Sequence, residues 1–496
     1  MNRQYYITSI LLTISVQLFA TSADSTLMEH LSIWNTVKQA TWQNPALHGT
    51  AFKSSLTELY AEVDWQKQSK AFIQEKGKGF LLPAAHADTY LRLSERAAVW
   101  GHASYTNGKH YDICWNSTSD YDILQPHILA DSVGGDTNRE RYVFEGGYAT
   151  RLRRWLLGAE MLFRADHEYR DVDPRMRGVV NELTLRIGAG YEAMGYRWGA
   201  AFEGNVYKQS NDVEFYRELG VSPEYQMTGL GTEYVRFSGD KRSIHYEGGG
   251  ARLLLDAEPV SNQGLYVHLD LNEHRYHRQI VENYTLPITD LYSQGVNTII
   301  GWKRVGKQHL AIYATLDYEK RSGDEHIIGS SASTAFPELA TLTMYKDNRL
   351  NTSLTALYGT GKWQVSACFG YQNDDQKYVY PERKLKVGHI YGALEGQLFW
   401  KASERMLLTC GLKASYRGCA NDEIVMPFAN MTTAFATKIN RQYEYSKANY
   451  TDVSARIRGD YQLKSIGIFA ELVGGYTSCS VGEHQAAARL ALGVTF

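Results

Sequence analysis

The sequence predicts an all-β fold: a transmembrane, antiparallel, up-and-down β-barrel of about 16–18 strands. Three observations lead there. A period-two alternation of apolar and polar residues recurs along the chain, the last such segment ends on Phe496, and short turns alternate with long polar loops.

The last segment is the clearest. Ala488, Leu490, Leu492, Val494 and Phe496 fall on one face, with Arg489, Ala491, Gly493 and Thr495 on the other. About ten alternating residues is the length a tilted strand needs to cross a bilayer. The segment resembles the terminal strand of outer-membrane barrels. That resemblance implies that Phe496 carries the assembly signal read by the barrel-assembly machinery.

The same alternation recurs upstream, in Trp363–Tyr371, Met406–Tyr416, Val453–Gly459, Leu310–Tyr318 and Trp198–Val206. A soluble antiparallel sheet alternates too. Strands longer than the soluble mode of about 5–6 residues, with aromatics at their ends, favour the membrane. Trp155, Trp198, Trp363, Tyr318, Tyr371, Tyr416 and Tyr476 suit interfacial belts, where amphipathic rings sit at headgroup level.

Short connections are read near 152–154, 194–195, 305–307, 360–362, 401–404 and 462–464. Long polar ones are read near 117–137, 171–180, 211–242, 323–346 and 420–445. Outer-membrane barrels have short periplasmic turns and longer external loops. Counting back from Phe496, the two classes alternate to about residue 138 once a candidate strand near 230–238 is assigned to an external loop.

Composition agrees. The chain has 35 Tyr, 43 Gly and 10 Pro in 496 residues, a balance suited to strands and tight turns. A mean hydropathy of −0.38 does not exclude a barrel, because lipid-facing and lumen-facing residues cancel. A net charge of −2 excludes the strongly basic footprint of a nucleic-acid binder. The five cysteines show no CxxC or Cys/His metal spacing, and they read as isolated small residues. Length alone allows about three domains, yet no linker divides the chain.

Residues 1–22 read as a signal peptide: Arg3 precedes the apolar run Ile7–Ala20, which is shorter than a spanning helix. Residues 23–54 form an N-terminal segment, a candidate plug or hatch, and 55–496 the barrel. The first strand is read at Leu56–Gln68. Within the segment, Leu27, Leu31, Trp34, Val37 and Trp42 predict a short amphipathic helix, followed by Asn44-Pro45-Ala46. That tripeptide resembles the NPA motif in the N-terminal hatch of the FadL family of outer-membrane barrels for hydrophobic substrates. As a whole the chain resembles poorly characterised outer-membrane barrels of Bacteroidota. A helix-ending Asn-Pro turn would give the same three residues, and the strand count exceeds that of the FadL family.

Charges of both signs fall on inward faces: Glu160, Arg164, Arg186, Glu192, Arg197, Glu203, Lys413, Asp452, Arg456, Arg458, Asp460 and Glu471. Either they line a hydrated, porin-like path or they pair across the barrel and around a plug. His86, His102, His110, His274, His277 and His309 are scattered. His274 and His277 lie on opposite faces of any strand, so they are poor co-ligands. No nucleophile–base cluster, cofactor signature or metal spacing is present, and the expectation is a protein without catalysis, cofactor or metal.

The expected role is transport: an outer-membrane channel or uptake protein for a small solute, hydrophobic ones included, gated by residues 23–54. The alternative is a non-conducting barrel, a subunit of a larger receptor, secretion or assembly complex. Under either reading the expected partners are lipopolysaccharide and other outer-membrane lipid, the barrel-assembly machinery, and another outer-membrane protein or lipoprotein; no nucleic acid is expected.

Overall fold

The computed structural model describes residues 23–217, 224–235, 243–281, 285–330, 336–427, 431–464 and 466–496. The signal-peptide reading of residues 1–22 lies outside them.

Eighteen antiparallel strands close into one barrel, each paired with its neighbour in the chain. The ring is sealed where Leu56–Gln68 meets His484–Thr495, with Val63 opposite Leu490 and Asp64 opposite Arg489. Closure satisfies the backbone polar groups that lipid cannot. Among the described residues no helix is long and apolar enough to cross a membrane. The crossing is made by strands.

The alternation sorts by face. Leu490, Leu492, Val453, Ile457, Leu412, Phe369 and Phe202 are exposed on the outside, whereas Glu203, Arg458 and Glu471 are buried inside. A continuous apolar belt of this kind belongs in lipid, which places the protein in the bacterial outer membrane. Trp155, Trp198, Trp302 and Trp363 sit exposed beside short turns, and Tyr318, Tyr416 and Tyr476 lie exposed further up their strands. From Met406 to Tyr416, ten residues at about 3.3 Å rise and about 45° tilt cover about 23 Å, close to the height of a lipid-facing band. Strands run well past this belt at the loop end; Glu338–Gly359 has 22 residues.

The short turns fall where the alternation ends. The long connections are more structured than the sequence reading. Strands Arg175–Ala193, His309–Ile328 and Glu338–Gly359 take up much of 171–180 and 323–346. Beyond the bilayer the outward face no longer meets lipid, while inward residues such as Met176, Val180 and Ile328 are apolar and buried, so the lipid-facing pattern that marks a strand disappears. Residues 420–445 hold the end of a strand at Val425 and a helix, Thr433–Ser446. Leu129–Asp131, Glu224–Gly229 and Thr232–Glu233 form a small sheet apart from the barrel wall, so the parity-breaking candidate near 230–238 is not a barrel strand. All five cysteines are free thiols.

Candidate functional site

The lumen is occupied at both ends. At the short-turn end, residues 23–54 line the inner wall. The single amphipathic helix read from the sequence is instead a chain of short turns: Ala23–Leu31, Ile33–Asn35, Thr36–Gln39, Thr41–Gln43 and Pro45–His48. Ser32 breaks it, with an extended backbone and a hydroxyl that accepts from Trp34 N at 3.2 Å. The breaks let the segment follow a curved wall that a straight helix cannot.

Its contacts run round the ring. Leu27 packs on Phe399 and Leu407, and Ser32 Oγ donates to Gln364 at 3.1 Å. Trp34 and Val37 meet Tyr266, Ala311 and Leu357, and Thr41 Oγ1 donates to Glu258 at 3.0 Å. His48 stacks on Trp100 at 4.3 Å. The two ends of the segment join: Glu29 accepts from Lys53 N at 2.8 Å and Ser54 N at 3.2 Å, and the His30 ring lies 3.8 Å from Phe52. This is a floor folded on itself.

Asn44-Pro45-Ala46 is the deepest part of the floor. Asn44 caps the turn Pro45–His48, its Oδ1 accepting from Ala46 N at 3.1 Å, with Pro at the first helical position. Asn44 and Leu47 are wholly buried. They rest on glycines: a Cβ at Gly158 would lie 2.4 Å from Pro45 C, and one at Gly188 2.2 Å from Asn44 Oδ1. Gly158 and Gly188 are register partners on adjacent strands. Burial holds Lys38 below the ordinary lysine range. Burial and the Arg186 charge push His48 down to about 4.

The predicted inward charges fall mostly into networks. Arg186 bridges Glu160 at 2.5 Å and Glu203 at 2.7 Å; Arg252 continues from Glu203 at 3.3 Å to Asp270 at 2.6 Å. Trp100 Nε1 donates to Glu160 at 2.8 Å. Arg197 joins Glu192 at 3.1 Å and Glu258 at 2.9 Å. Arg456 binds Glu471 at 2.6 Å, while Arg458 binds Glu58 at 2.6 Å and Asp460 at 2.8 Å. Arg164 reaches Asp120 at 2.7 Å and Glu182 at 2.9 Å. Asp452 accepts from Ser415 Oγ at 3.2 Å and Thr477 Oγ1 at 2.6 Å. Lys413 is exposed opposite Glu395, with no ion pair among the described residues.

At the loop end, a second plug packs against the wall. Ile128, Leu129, Met227 and Phe435 share one apolar cluster with wall residues Val180, Tyr246 and Ile280. The buried pair Arg170–Asp131 at 2.9 Å fastens it. So does Arg278, whose Nη1 donates to the carbonyls of Ile128 and Met227, both at 3.1 Å. Burial, reinforced by Asp131, pushes Glu224 up to about 8. Burial holds His127 well below its ordinary value.

Beside this plug lies a cavity of about 1270 Å³. Asp120, Arg139, Arg349, Asp374, Arg417 and Arg441 are among its lining. Arg139 pairs with Asp166 at 2.9 Å and Arg349 with Asp347 at 2.8 Å. Arg417 and Arg441 have no carboxylate partner among the described residues. They lie over the rings of Tyr450 and Tyr445, at 4.5 and 5.4 Å, and Tyr450 OH donates to the Tyr445 carbonyl at 2.8 Å.

A family model matches residues 45–496, the whole barrel and the turn Pro45–His48. The chain belongs to DUF6850, a family of unknown function. No curated protein matches this DUF6850 chain. Among solved structures it is similar to the ferric preacinetobactin receptor BauA of Acinetobacter baumannii, at 9% identity and a TM-score of 0.43, over 89% of this chain and 79% of that one. It is similar also to the ferripyoverdine receptor of Pseudomonas aeruginosa, at 7% identity and a TM-score of 0.41, over 88% and 72% of the two chains.

One cluster of the DUF6850 chain escaped the sequence reading. His277, Asp290 and His326 meet although they stand on three different strands. No linear spacing announces them. The signal is the register, which sets His277 directly opposite Asp290.

Proposed function

We propose that this protein is an outer-membrane uptake barrel for a small, polar, anionic solute, closed on the periplasmic side by residues 23–54. The observation that carries this reading is the charged cavity, in which Arg417 and Arg441 are stacked on tyrosines rather than paired with carboxylates. The floor is the gate, and Asn44-Pro45-Ala46, seated on Gly158 and Gly188, is its anchor. Residues 1–22 act as the export signal, and Phe496 as the assembly signal.

Planar-bilayer recording tests this. The intact chain should conduct little, and a variant lacking residues 24–50 should conduct with a preference for anions. Silence from both, together with normal solute uptake in a knockout, would remove the proposal.

The occupation of both ends of the lumen supports a second reading, a closed barrel that serves as a subunit of a larger outer-membrane complex. Mild-detergent purification should then recover a stoichiometric partner protein or lipoprotein. Repeated recovery of the barrel alone counts against it.

A further inference from the structure

We propose that His277, Asp290 and His326 form a divalent-cation site, filled by zinc or a similar first-row ion, that clamps three adjacent strands on the outer face of the barrel beyond the membrane. The site is independent of the lumen. His277 follows Leu265, Leu271 and Arg275 on the exposed alternation of Gly264–Val281. His326 lies eight residues past the exposed belt residue Tyr318 on His309–Ile328.

The geometry is that of a ligand set. One atom from each residue lies within 4.8 Å of the other two. His277 Nδ1 is 2.5 Å from Asp290 Oδ1, and His326 Nε2 is 3.5 Å from Asp290 Oδ2. Metal–ligand bonds of about 2.0–2.2 Å in a tetrahedron put ligand atoms about 3.3 Å apart. The second contact already has that spacing, and the first needs to open by under about 1 Å to reach it.

The surroundings are those of a built site. Glu338 Oε1 lies 3.1 Å from His326 Nδ1, the carboxylate–histidine pairing that fixes a metal-ligating imidazole. With Nδ1–H donated to Glu338, Nε2 presents a lone pair. That Nε2 atom is buried, has no hydrogen-bond partner and faces a carboxylate oxygen. In that tautomer the Nε2 lone pair and Asp290 Oδ2 face each other at 3.5 Å, an arrangement that a cation bound between them satisfies. Arg275 Nη2 holds Asp290 Oδ2 at 2.7 Å and orients the carboxylate, whose oxygens each face one imidazole, Oδ1 that of His277 and Oδ2 that of His326. His277 is the partly exposed member and gives the ion its route in.

Two imidazoles and one carboxylate suit zinc, nickel or copper and not calcium or magnesium, which take oxygen. The fourth position is left to water. Bound here, the ion joins Gly264–Val281, Thr285–Arg304 and His309–Ile328 across their loop ends.

The test uses the full chain, refolded in detergent and carrying a tag free of histidine, with zinc chloride as the probe. Equilibrium dialysis and metal analysis should find one zinc per chain, retained against magnesium in excess. H277A/H326A should lose it, and E338Q should weaken it about tenfold to a hundredfold. H274A, whose side chain lies on the opposite face of the same strand, should bind as the wild type does. Heat-modified migration on gels verifies that each variant has folded. No zinc retained by the wild type, or equal retention by folded H277A/H326A, overturns the proposal. Loss of conductance leaves zinc retention unaltered, so the two readings fail separately.

Discussion

Asn44 Nδ2 donates to Asp256 Oδ2 at 3.2 Å, joining residues 212 positions apart in the chain. Asp256 is itself held by His268 Nδ1 at 2.7 Å, and both of those side chains are almost wholly buried. One side chain therefore caps the local turn and ties the floor to the wall. Asn44→Ala removes the cap and the tie, each worth about 1 kcal/mol. The floor should loosen by about 2 kcal/mol while the barrel stays folded. Gly188→Leu should have the same effect by steric means, since its Cβ would lie 2.2 Å from Asn44 Oδ1. Both variants should raise single-channel conductance and expose residues near 41–50 to added protease. Wild-type protection in both would show that the floor does not depend on this seat.

Arg186 stands between Glu160 and Glu203 with little solvent contact. Arg186→Met leaves two buried carboxylates facing each other, and breaking such a pair costs about 3–5 kcal/mol. The midpoint of guanidinium unfolding in detergent should fall accordingly. Arg186→Lys keeps the charge but not the two-pronged reach, and should fall between the two. A midpoint unchanged in Arg186→Met would show that the network is dispensable.

The wall was legible in the sequence because lipid enforces the alternation: Leu490, Ile457, Phe369 and Phe202 face the bilayer and nothing else satisfies them there. The Asn44 turn was legible as a break at Asn-Pro, read as ending a helix, whereas Asn44 caps the start of Pro45–His48. Three features were not legible. The floor's broken path follows a curvature that only the closed ring imposes. The loop-end plug is built from residues such as Asp131, bonded to Arg170 39 positions away, and Arg278, bonded to Met227 and Ile128 51 and 150 positions away. His277, Asp290 and His326 depend on register across three strands. The outward strand extensions near 323–346 lost their signal because neither face meets lipid.

The two plugs should respond to acid with opposite signs. His48 in the floor is held neutral, with its pKa down at about 4 against an ordinary 6.5. The stability it brings is complete above the ordinary value and is lost as pH falls from there towards 4. Glu224 in the loop-end plug is held protonated, with its pKa up at about 8 against an ordinary 4.5. Its contribution is complete below the ordinary value and is lost as pH rises towards 8. Hydrogen exchange, corrected for intrinsic rates, should show the floor loosening as pH falls from about 7 to about 5, and the plug tightening as it falls from about 8 to about 6.5, above the range where His127, held below its ordinary 6.5, acts with the opposite sign. His48→Phe and Glu224→Gln should each flatten one of the two responses. Parallel responses from both regions would contradict the assignment.

The final prediction concerns selectivity. Arg139 and Arg349 in the cavity wall are neutralised by carboxylates, whereas Arg417 and Arg441 rest on the faces of Tyr450 and Tyr445. A guanidinium stacked on a ring keeps in-plane donors for an anion's oxygens, although one Nη of Arg441 is already given to the Ala71 carbonyl at 2.9 Å. In the channel opened by removal of residues 24–50, Arg417→Gln with Arg441→Gln should shift the reversal potential towards cations by a several-fold change in permeability ratio. Arg139→Gln removes a charge that is already compensated, and should shift it much less. An unchanged reversal potential in the double variant would take the anion preference away from this pair. Equal shifts from all three positions would assign it to net lumen charge instead.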